Sequence, residues 1–242
     1  MDLYEKLKLY FIDLVKEKGI EEDEVEVSFR LLEGIEVLGE TRRKDYPLLT
    51  GKEKILEAEF RGAKGQAFTL AGSIFHGKIK DVLELELDED YNRGIFIACL
   101  NAVMSYFGLI KGTVHCKNNE PEECACMLTR DFKNHSSRKI AVIGYQPAFI
   151  EALVKEGFTI RVLDLNIENI GTDNLGVLIE DGIKHYSDVV QWADIILCTG
   201  STIVNGTIEN FVGLDKEVYF YGNTIAGPSK ILGLRRICKN AL

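Results

Sequence analysis

The feature that most constrains the fold is a change in hydrophobic pattern at about residue 138. Beyond it, short runs that are apolar on both faces alternate with helical patterns, at residues 139–144, 159–165, 194–198 and 217–221. Strands that are apolar on both faces are typical of parallel sheets covered by helices on both sides. The second half of the chain therefore predicts an α/β domain with a Rossmann-like parallel sheet.

The first third of the chain has the pattern of a smaller α+β unit. Residues 2–18 place apolar side chains at helical spacing and predict an amphipathic helix. Residues 25–29 and 56–60 alternate apolar with polar side chains, which predicts half-buried antiparallel strands, with residues 65–70 as a third strand.

Residues 77–90 fit the periods of both a strand and a helix, and we interpret them as a helix. It leads into the most apolar run of the chain, residues 95–110. This run has 16 residues, fewer than the ~20 of a membrane-spanning helix, and predicts a buried helix instead. We place the α+β unit at residues 1–90 and the Rossmann-like domain at residues 91–242, with residues 129–138 as a polar connector.

The chain is acidic and rich in cysteine. Its 242 residues hold 29 Lys and Arg against 38 Asp and Glu, a formal net charge of −9. Such a surface repels nucleic-acid phosphates and anionic lipid, and no basic patch interrupts it, so we expect neither nucleic acid nor a membrane as partner. Six cysteines without a secretory leader indicate a reducing compartment, which predicts a cytoplasmic protein.

Loops that follow the predicted strands carry the candidate ligand-binding residues. In open α/β sheets, ligands bind where strand ends lead into helix N-termini. Small hydroxyl residues and glycines there can present N–H groups and hydroxyls to a carboxylate or phosphate, although the same residues also cap helices without any ligand. We favour a binding role, and the candidates are Gly144, Tyr145, Pro147, Asp164, Thr199, Gly200, Ser201, Thr202, Asn205, Thr207 and Thr224.

The loop after the first of these strands departs from a dinucleotide-binding fingerprint. It has one glycine, Gly144, where the fingerprint has three, and Tyr145 and Gln146 hinder the close approach of a pyrophosphate. Asp164 nevertheless lies 20 residues after Gly144, where an acidic residue would bind a ribose hydroxyl. Ribose binding and the capping of a strand end both remain open for Asp164.

A second candidate site lies at His115 and Cys116, followed by Cys124 and Cys126. Thiolates and imidazoles are typical ligands of zinc and related metals. Because residues 119–132 are predicted to be helical, Cys124 and Cys126 point to opposite sides of that helix. At most two or three of the four side chains can converge, which favours an open site; a buried thiol beside a loop histidine is the simpler alternative. Cys99, Cys198 and Cys238 are interpreted as structural.

Five short segments together give the chain a family resemblance. They are CLNAV at residues 99–103, HCKNNEPEECA at 115–125, GYQP at 144–147, TGSTIVNGT at 199–207 and GPS at 227–229. In this combination the chain resembles the putative heavy-metal chelation family, formerly a domain of unknown function. The resemblance implies an enolase-N-terminal-like domain followed by a Rossmann-like domain, with the active site in a pocket between them.

The resemblance also implies where function resides. Metal, handled together with a small chelator, would meet the interdomain pocket, and the implied site residues are Asn101, His115, Cys116, Tyr145, Thr199, Ser201, Thr202, Asn205 and Thr207. The family's likeness to enolase concerns the N-terminal domain alone and implies no enolase chemistry.

Three functions are compatible with these patterns. The leading hypothesis is a metal-handling protein that binds a small anionic molecule or metal chelate, with His115 and Cys116 as ligands of zinc, iron, cobalt or nickel. The alternatives are a metal-free enzyme that uses a nucleotide-type cofactor for methyl or hydride transfer, and a non-catalytic small-molecule sensor. Catalytic residues, enzymatic activity and assembly into a homo-oligomer are left open.

Overall fold

The computed structural model describes residues 2–30, 39–40, 43–46, 49, 54–69, 74–132, 139–238 and 241. Its first sheet is antiparallel, with four strands in the order β3-β2-β1-β4. The strands are β1 Glu24–Arg30, β2 Lys54–Phe60, β3 Ala63–Thr69 and β4 Phe75–Lys78. Helices α1 Leu3–Lys18, α2 Ile79–Leu83 and α3 Asp90–Tyr106 belong to the same part of the chain. The three strands predicted here are thereby confirmed over their described residues; Leu70 lies outside them.

The ends of α1 follow from local chemistry. Asp2 and Glu5 form a reciprocal capping box, so two N–H groups of the first turn are satisfied. Gly19 ends the helix in a left-handed conformation, with φ of 60°, which glycine adopts without the steric cost of a Cβ. The predicted amphipathic helix is confirmed.

Residues 77–90 contain the end of a strand, a short helix and the first residue of a second helix. Strand β4 runs to Lys78, helix α2 begins at Ile79, and α3 begins only at Asp90. The Asp81 carboxylate accepts the N–H of Lys78 and so holds the junction between strand and helix. The interpretation as a single helix was therefore wrong for residues 77–78, which end a strand, and for residues 84–89, which separate the two helices.

Helix α3 is the buried helix predicted from the most apolar run. It packs against β2 and β3 of the first sheet and against the helix Ala226–Leu232, labelled α7. At Gly65 in β3, a Cβ would lie 2.2 Å from the backbone nitrogen of Ala102. A residue without a side chain is therefore required for β3 and α3 to approach this closely. None of the described helices is long and apolar enough to cross a membrane.

The second sheet has six strands in the order β10-β9-β5-β6-β8-β7. All pairs are parallel except that of β7 with β8. The strands and helices are α4 Glu120–Asp131, β5 Lys139–Ile143, α5 Pro147–Lys155, β6 Thr159–Asp164, β7 Asp173–Asn174, β8 Val177–Asp181, α6 Tyr186–Trp192, β9 Ile195–Thr199, β10 Glu217–Tyr221 and α7 Ala226–Leu232. The predicted mixed α/β class with a parallel sheet is confirmed.

The order of these strands determines where a ligand can enter. From β5 the chain proceeds outward to β6 and β8, then returns through α6 to β9 on the other side of β5. The loops after β5 and β9 therefore leave the sheet in opposite directions and open a crevice at its carboxyl edge, the usual ligand site of such sheets.

A buried polar cluster joins the two sheets. Asn101 of α3 is fully buried and donates its amide to the carbonyls of Gln66 in β3, at 3.2 Å, and of Thr224 after β10, at 3.0 Å. Its Oδ1 accepts the N–H of Gly227 at 2.7 Å. One side chain thus binds backbone from both sheets, and the first sheet packs directly against the carboxyl edge of the second. The domain boundary at residue 90 and the likeness to an enolase N-terminal domain stay predictions.

We expect the substitution Asn101→Ala to lower the free energy of unfolding by about 2–4 kcal/mol. It leaves the N–H of Gly227 and several carbonyls without their buried partner, and each such group costs about 1–3 kcal/mol. Urea unfolding followed by circular dichroism measures the change. The control is Asn92→Ala, which removes one exposed side-chain bond to the carbonyl of Glu86 and should cost under about 1 kcal/mol. Equal losses in the two variants would contradict the structural role of Asn101.

Candidate functional site

A cavity of about 390 Å³ lies at the carboxyl edge of the second sheet. This volume falls in the range of about 300–1,000 Å³ that is typical of small-molecule sites. The loops after β5, β6, β9 and β10 line one side, while Phe68 and Thr69 of β3 and the segment His115–Cys116 line the other. Every predicted ligand or metal residue except Asn101 contributes to the lining. Asn101 lies buried behind the cavity, where its bonds are structural; its role toward a ligand stays a prediction.

The loop at residues 199–207 satisfies many of its own polar groups. Thr199 Oγ1 accepts the N–H of Ser201, and the Thr202 hydroxyl donates to the carbonyl of Thr199 at 2.8 Å. Asn205 Oδ1 accepts both the N–H and the hydroxyl of Thr207, at 3.0 and 2.7 Å. The residues therefore cap the two short 3₁₀ turns Gly200–Ile203 and Thr207–Asn210. A ligand would meet the outer faces of a loop that is already ordered.

The first part of the chain holds this loop in place. The Tyr4 hydroxyl of α1 donates to the carbonyl of Ile203 at 2.9 Å. Arg93 of α3, only 9% exposed, donates Nε to the carbonyl of Val204 at 2.6 Å and a second nitrogen to the carboxylate of Asp90. These long-range bonds fix the loop, so its conformation depends on helices far away in sequence.

The loop after β5 packs at Gly144 against the ends of two neighbouring strands. Gly144 has a φ of +89°, and a Cβ there would lie 2.8 Å from the Thr199 side chain. Tyr221 donates its hydroxyl to the carbonyls of Ile143 and Gly144. The glycine is required because three strand ends converge here, which is a structural reason that needs no dinucleotide.

Asp164 connects the loops after β5 and β6. Its two carboxylate oxygens accept the N–H groups of Tyr145 and Asn166, each at 2.6 Å. Burial raises the pKa of Asp164 above its ordinary value, while these N–H groups oppose the shift. The bonds give Asp164 the structural role that one of the two sequence interpretations assigned to it; ribose binding stays a prediction.

Several residues that line the cavity hold a buried polar atom without a hydrogen-bond partner. Among them are His115, at Nδ1, and Asn223 of the loop after β10, at Oδ1. Gln66 positions both residues, because its Oε1 accepts the backbone N–H of His115 at 2.8 Å and the Asn223 amide at 3.0 Å. The ring of His115 also meets that of Phe68 edge-to-face, with centroids 5.5 Å apart. Buried polar atoms without a partner are rare in proteins, and here they belong to side chains of the cavity wall.

His115 and Cys116 are both uncharged at neutral pH. Burial lowers the pKa of His115 to about 4 and raises the pKa of the Cys116 thiol well above its ordinary value. A neutral imidazole can bind a metal, whereas a protonated thiol is a poor ligand. Cys124 and Cys238 also line the cavity, a placement that sequence reasoning missed for Cys238.

The metal that the family resemblance implies does not fit as a resident ion. Among the described residues, no group of three His, Cys, Asp or Glu side chains could hold one, whereas protein metal sites normally supply three or four ligands. His115 Nδ1 can offer a single bond. Any metal that binds here must therefore bring most of its ligands with it.

The charge of the cavity lining limits the class of ligand that can bind. Its described charged residues are Asp90 and Asp164; it contains neither Lys nor Arg. Sequence reasoning missed Gln66 and Phe68. The Gly-containing loop after β10, which holds Asn223, was among the predicted binding loops, but the bond of Asn223 to Gln66 spans 157 residues and no local motif signals it.

Comparison with known proteins supports the resemblance found in the motifs. Residues 128–229 match the family described as putative heavy-metal chelation, and three of the five motif segments lie inside this range. The resemblance is confirmed over this part of the chain. The other two segments, residues 99–103 and 115–125, precede it. None of the curated proteins compared with the chain matches it.

Two solved structures are similar to the chain over nearly its whole length. Both are proteins with unknown function from the DUF364 family. The structure from Pyrococcus horikoshii is 19% identical, with a TM-score of 0.57, and the match covers 92% of this chain and 80% of that one. The structure from Desulfitobacterium hafniense DCB-2 is 12% identical, with a TM-score of 0.52, and the match covers 96% and 84%. At these identities the likeness shows the fold.

The low pKa of His115 predicts how stability depends on pH. The unfolded chain binds a proton at His115 below about pH 6.5, but the folded protein does so only near pH 4, so stability is lost as the pH falls between these values. His115→Gln should remove about 1–3 kcal/mol of this loss. Urea unfolding at pH 7 and pH 4.5 measures it in both proteins. An unchanged pH dependence in the variant would show that the ring is not held neutral by burial.

Proposed function

We propose that the protein binds a small metal chelate in the cavity between its two sheets, with the His115 imidazole as the one ligand that the protein adds to the metal. The observation that carries the proposal is a cavity at the carboxyl edge of the sheet whose lining includes His115, a neutral imidazole, and no Lys or Arg among the described residues. The matched family is described as putative heavy-metal chelation, which supports a ligand that contains a metal.

The charge of the lining favours a chelate over a free anion. Phosphates and free carboxylates in a lining without Lys or Arg would depend on backbone N–H groups and hydroxyls alone. In a chelate, the metal cation neutralises the carboxylates of its chelator, so the whole ligand approaches zero charge. A cavity wall that offers no cationic side chain among its described residues accepts such a ligand with a smaller desolvation cost than an anion.

The same features count against the nucleotide-cofactor alternative. Gly144 packs against Thr199 rather than leaving space for a pyrophosphate, and both Asp164 oxygens already accept backbone N–H groups. In this proposal the metal is part of the bound ligand and not a resident cofactor. The protein contributes one imidazole ligand and a cavity that excludes water from the chelate. Zinc, iron, cobalt and nickel all accept an imidazole ligand.

Binding of cobalt(II) chelates tests the proposal. Calorimetric titration compares the bare cation with its iminodiacetate, nitrilotriacetate and EDTA complexes, which carry net charges of 0, −1 and −2. We expect the neutral iminodiacetate complex to bind at least about tenfold more tightly than the EDTA complex, which leaves the metal little room for His115. The visible absorption band of the cobalt should shift when the imidazole is added to its ligands.

The variant His115→Gln should weaken binding of the iminodiacetate complex about tenfold or more, a loss of about 1.4 kcal/mol, and abolish the spectral shift. His76→Gln is the matched control, because His76 is exposed on β4 and lies outside the cavity lining. Failure of every chelate to bind, or equal binding by wild type and His115→Gln, would refute the proposal.

A further inference from the structure

Large apolar side chains that face solvent are concentrated in one part of the chain. Nine are exposed among the described residues, and five of these lie between residues 165 and 183. Two of the five, Leu165 and Ile183, also line the cavity, although they are 45% and 81% exposed. Single exposed apolar residues are ordinary, whereas an apolar patch that borders a cavity is typical of a ligand-binding groove.

Leu165 and Ile183 lie on neighbouring loops that the protein holds in place. The N–H of Gly182 donates to the carbonyl of Asp164 at 2.8 Å, which joins the loop after β8 to the loop after β6. A Cβ at Gly182 would lie 3.2 Å from Leu165 Cδ2, so Leu165 packs on the backbone next to Ile183. The Asp181 carboxylate accepts the N–H of Ile183 at 2.9 Å. Backbone that is already bonded therefore presents both side chains to solvent.

This apolar edge and His115 lie at different ends of the cavity. Phe68, whose ring contacts that of His115, donates its N–H to the Thr224 hydroxyl at 3.0 Å, so His115 lies beside the loop after β10. Leu165 and Ile183 follow β6 and β8. In the order β10-β9-β5-β6-β8, four spacings of about 4.8 Å separate β10 from β8. A ligand that fills the cavity therefore has one end near His115 and another near the two apolar side chains.

The chemistry of the apolar end differs from that of the His115 end. The side chains of Leu165 and Ile183 offer no hydrogen-bond donor or acceptor, and water that covers them is released when an apolar group takes its place. A methylene group that becomes fully buried strengthens binding about fourfold, and a half-covered one about twofold. A carboxylate of the ligand would instead lose hydration here, beside Asp164.

We propose that the ligand carries an apolar arm, an alkyl or aryl group, that covers Leu165 and Ile183 at the end of the cavity away from His115. The inference rests on the proposed function, since it takes the metal-bearing part of the ligand to lie at His115. It adds the class of the ligand, which is an amphiphilic chelator with one polar and one apolar end.

Cobalt(II) complexes of three N-substituted iminodiacetates test the inference on the wild-type protein. The substituents are methyl, octyl and dodecyl, so the three complexes share their neutral charge and their metal ligands and differ only in the arm. Calorimetric titration is made below the concentrations at which the long arms aggregate. We expect the dodecyl complex to bind at least about tenfold more tightly than the methyl complex, with the octyl complex between them, because several methylene groups become covered.

The variants Ile183→Ser and Leu165→Ser should each reduce the ratio between the dodecyl and methyl affinities to about threefold or less. Ile183 is so exposed that its replacement has little effect on the fold. The matched control is Ile74→Ser, since Ile74 is 76% exposed and lies outside the cavity lining. This control should keep the tenfold ratio, which separates contact at the cavity from general adhesion of alkyl chains to the protein.

The variant His115→Gln separates this inference from the proposed function. It should weaken all three complexes by a similar factor and keep the ratio, because it acts at the other end of the ligand. If binding depends on His115 but the long arms add nothing, or Ile183→Ser keeps the ratio, the apolar arm is refuted while the chelate proposal stands. If Ile183→Ser removes the ratio but His115→Gln changes no affinity, the apolar contact is supported and the chelate proposal is refuted.

The remaining outcomes count against the inference. If none of the three complexes binds, the apolar arm and the chelate proposal fall together. Light scattering gives the oligomeric state of wild type and Ile183→Ser. If the variant turns an oligomer into a monomer and the ratio is unchanged, the two side chains join copies of this chain, and the apolar arm is refuted.

Discussion

The side-chain amide of Asn101 is the interaction on which the arrangement of both sheets depends. It lies on α3, a helix that the first sheet approaches so closely at Gly65 that no side chain fits, and it bonds to the backbone of β3 and of the loops after β10. Because these bonds are buried and directional, they determine how far apart the two sheets lie and where they touch. The carboxyl edge of the second sheet consequently faces protein on one side, and a cavity results where an isolated sheet of this type would present an open crevice.

The residues that join the sheets also build the wall of the site. Gln66 accepts the N–H of His115 and the amide of Asn223 with one oxygen, and its own orientation is imposed by Glu57 and Lys64. Apolar side chains could have closed the same interface, but they would not have determined the orientation of the Asn223 amide. Each member of this buried network fixes the next through a directional bond, from Glu57 to Gln66 and from Gln66 to His115 and Asn223.

Periodicity in the sequence predicted the parallel strands, the antiparallel strands and the buried helix, since each depends on which face of an element is apolar. The strand-end loops were predicted as well, because ligand sites in such sheets follow from topology. Segment 77–90 was ambiguous because its apolar side chains fit the periods of both a strand and a helix, and only residues 79–83 form a separate helix. The loop after β10 was among the predicted binding loops, but the bond of its Asn223 to Gln66, 157 residues away, could not be found because no local motif signals a contact at that distance. Their importance arises only when α3 brings the two sheets together.

The two sides of the cavity contribute differently to recognition. The loops of the second sheet are ordered by their own bonds, as Asn205 with Thr207 and Asp164 with Tyr145 illustrate, and they therefore offer a ligand a preformed surface. The unsatisfied atoms come from the His115 segment and from Asn223, both fixed by a side chain of the first sheet. Rossmann-like sheets serve many chemistries, so the sheet alone does not specify a ligand. The bonds by which the first sheet orients His115 and Asn223 are consequently what distinguishes this cavity from the crevice of a Rossmann-like sheet alone.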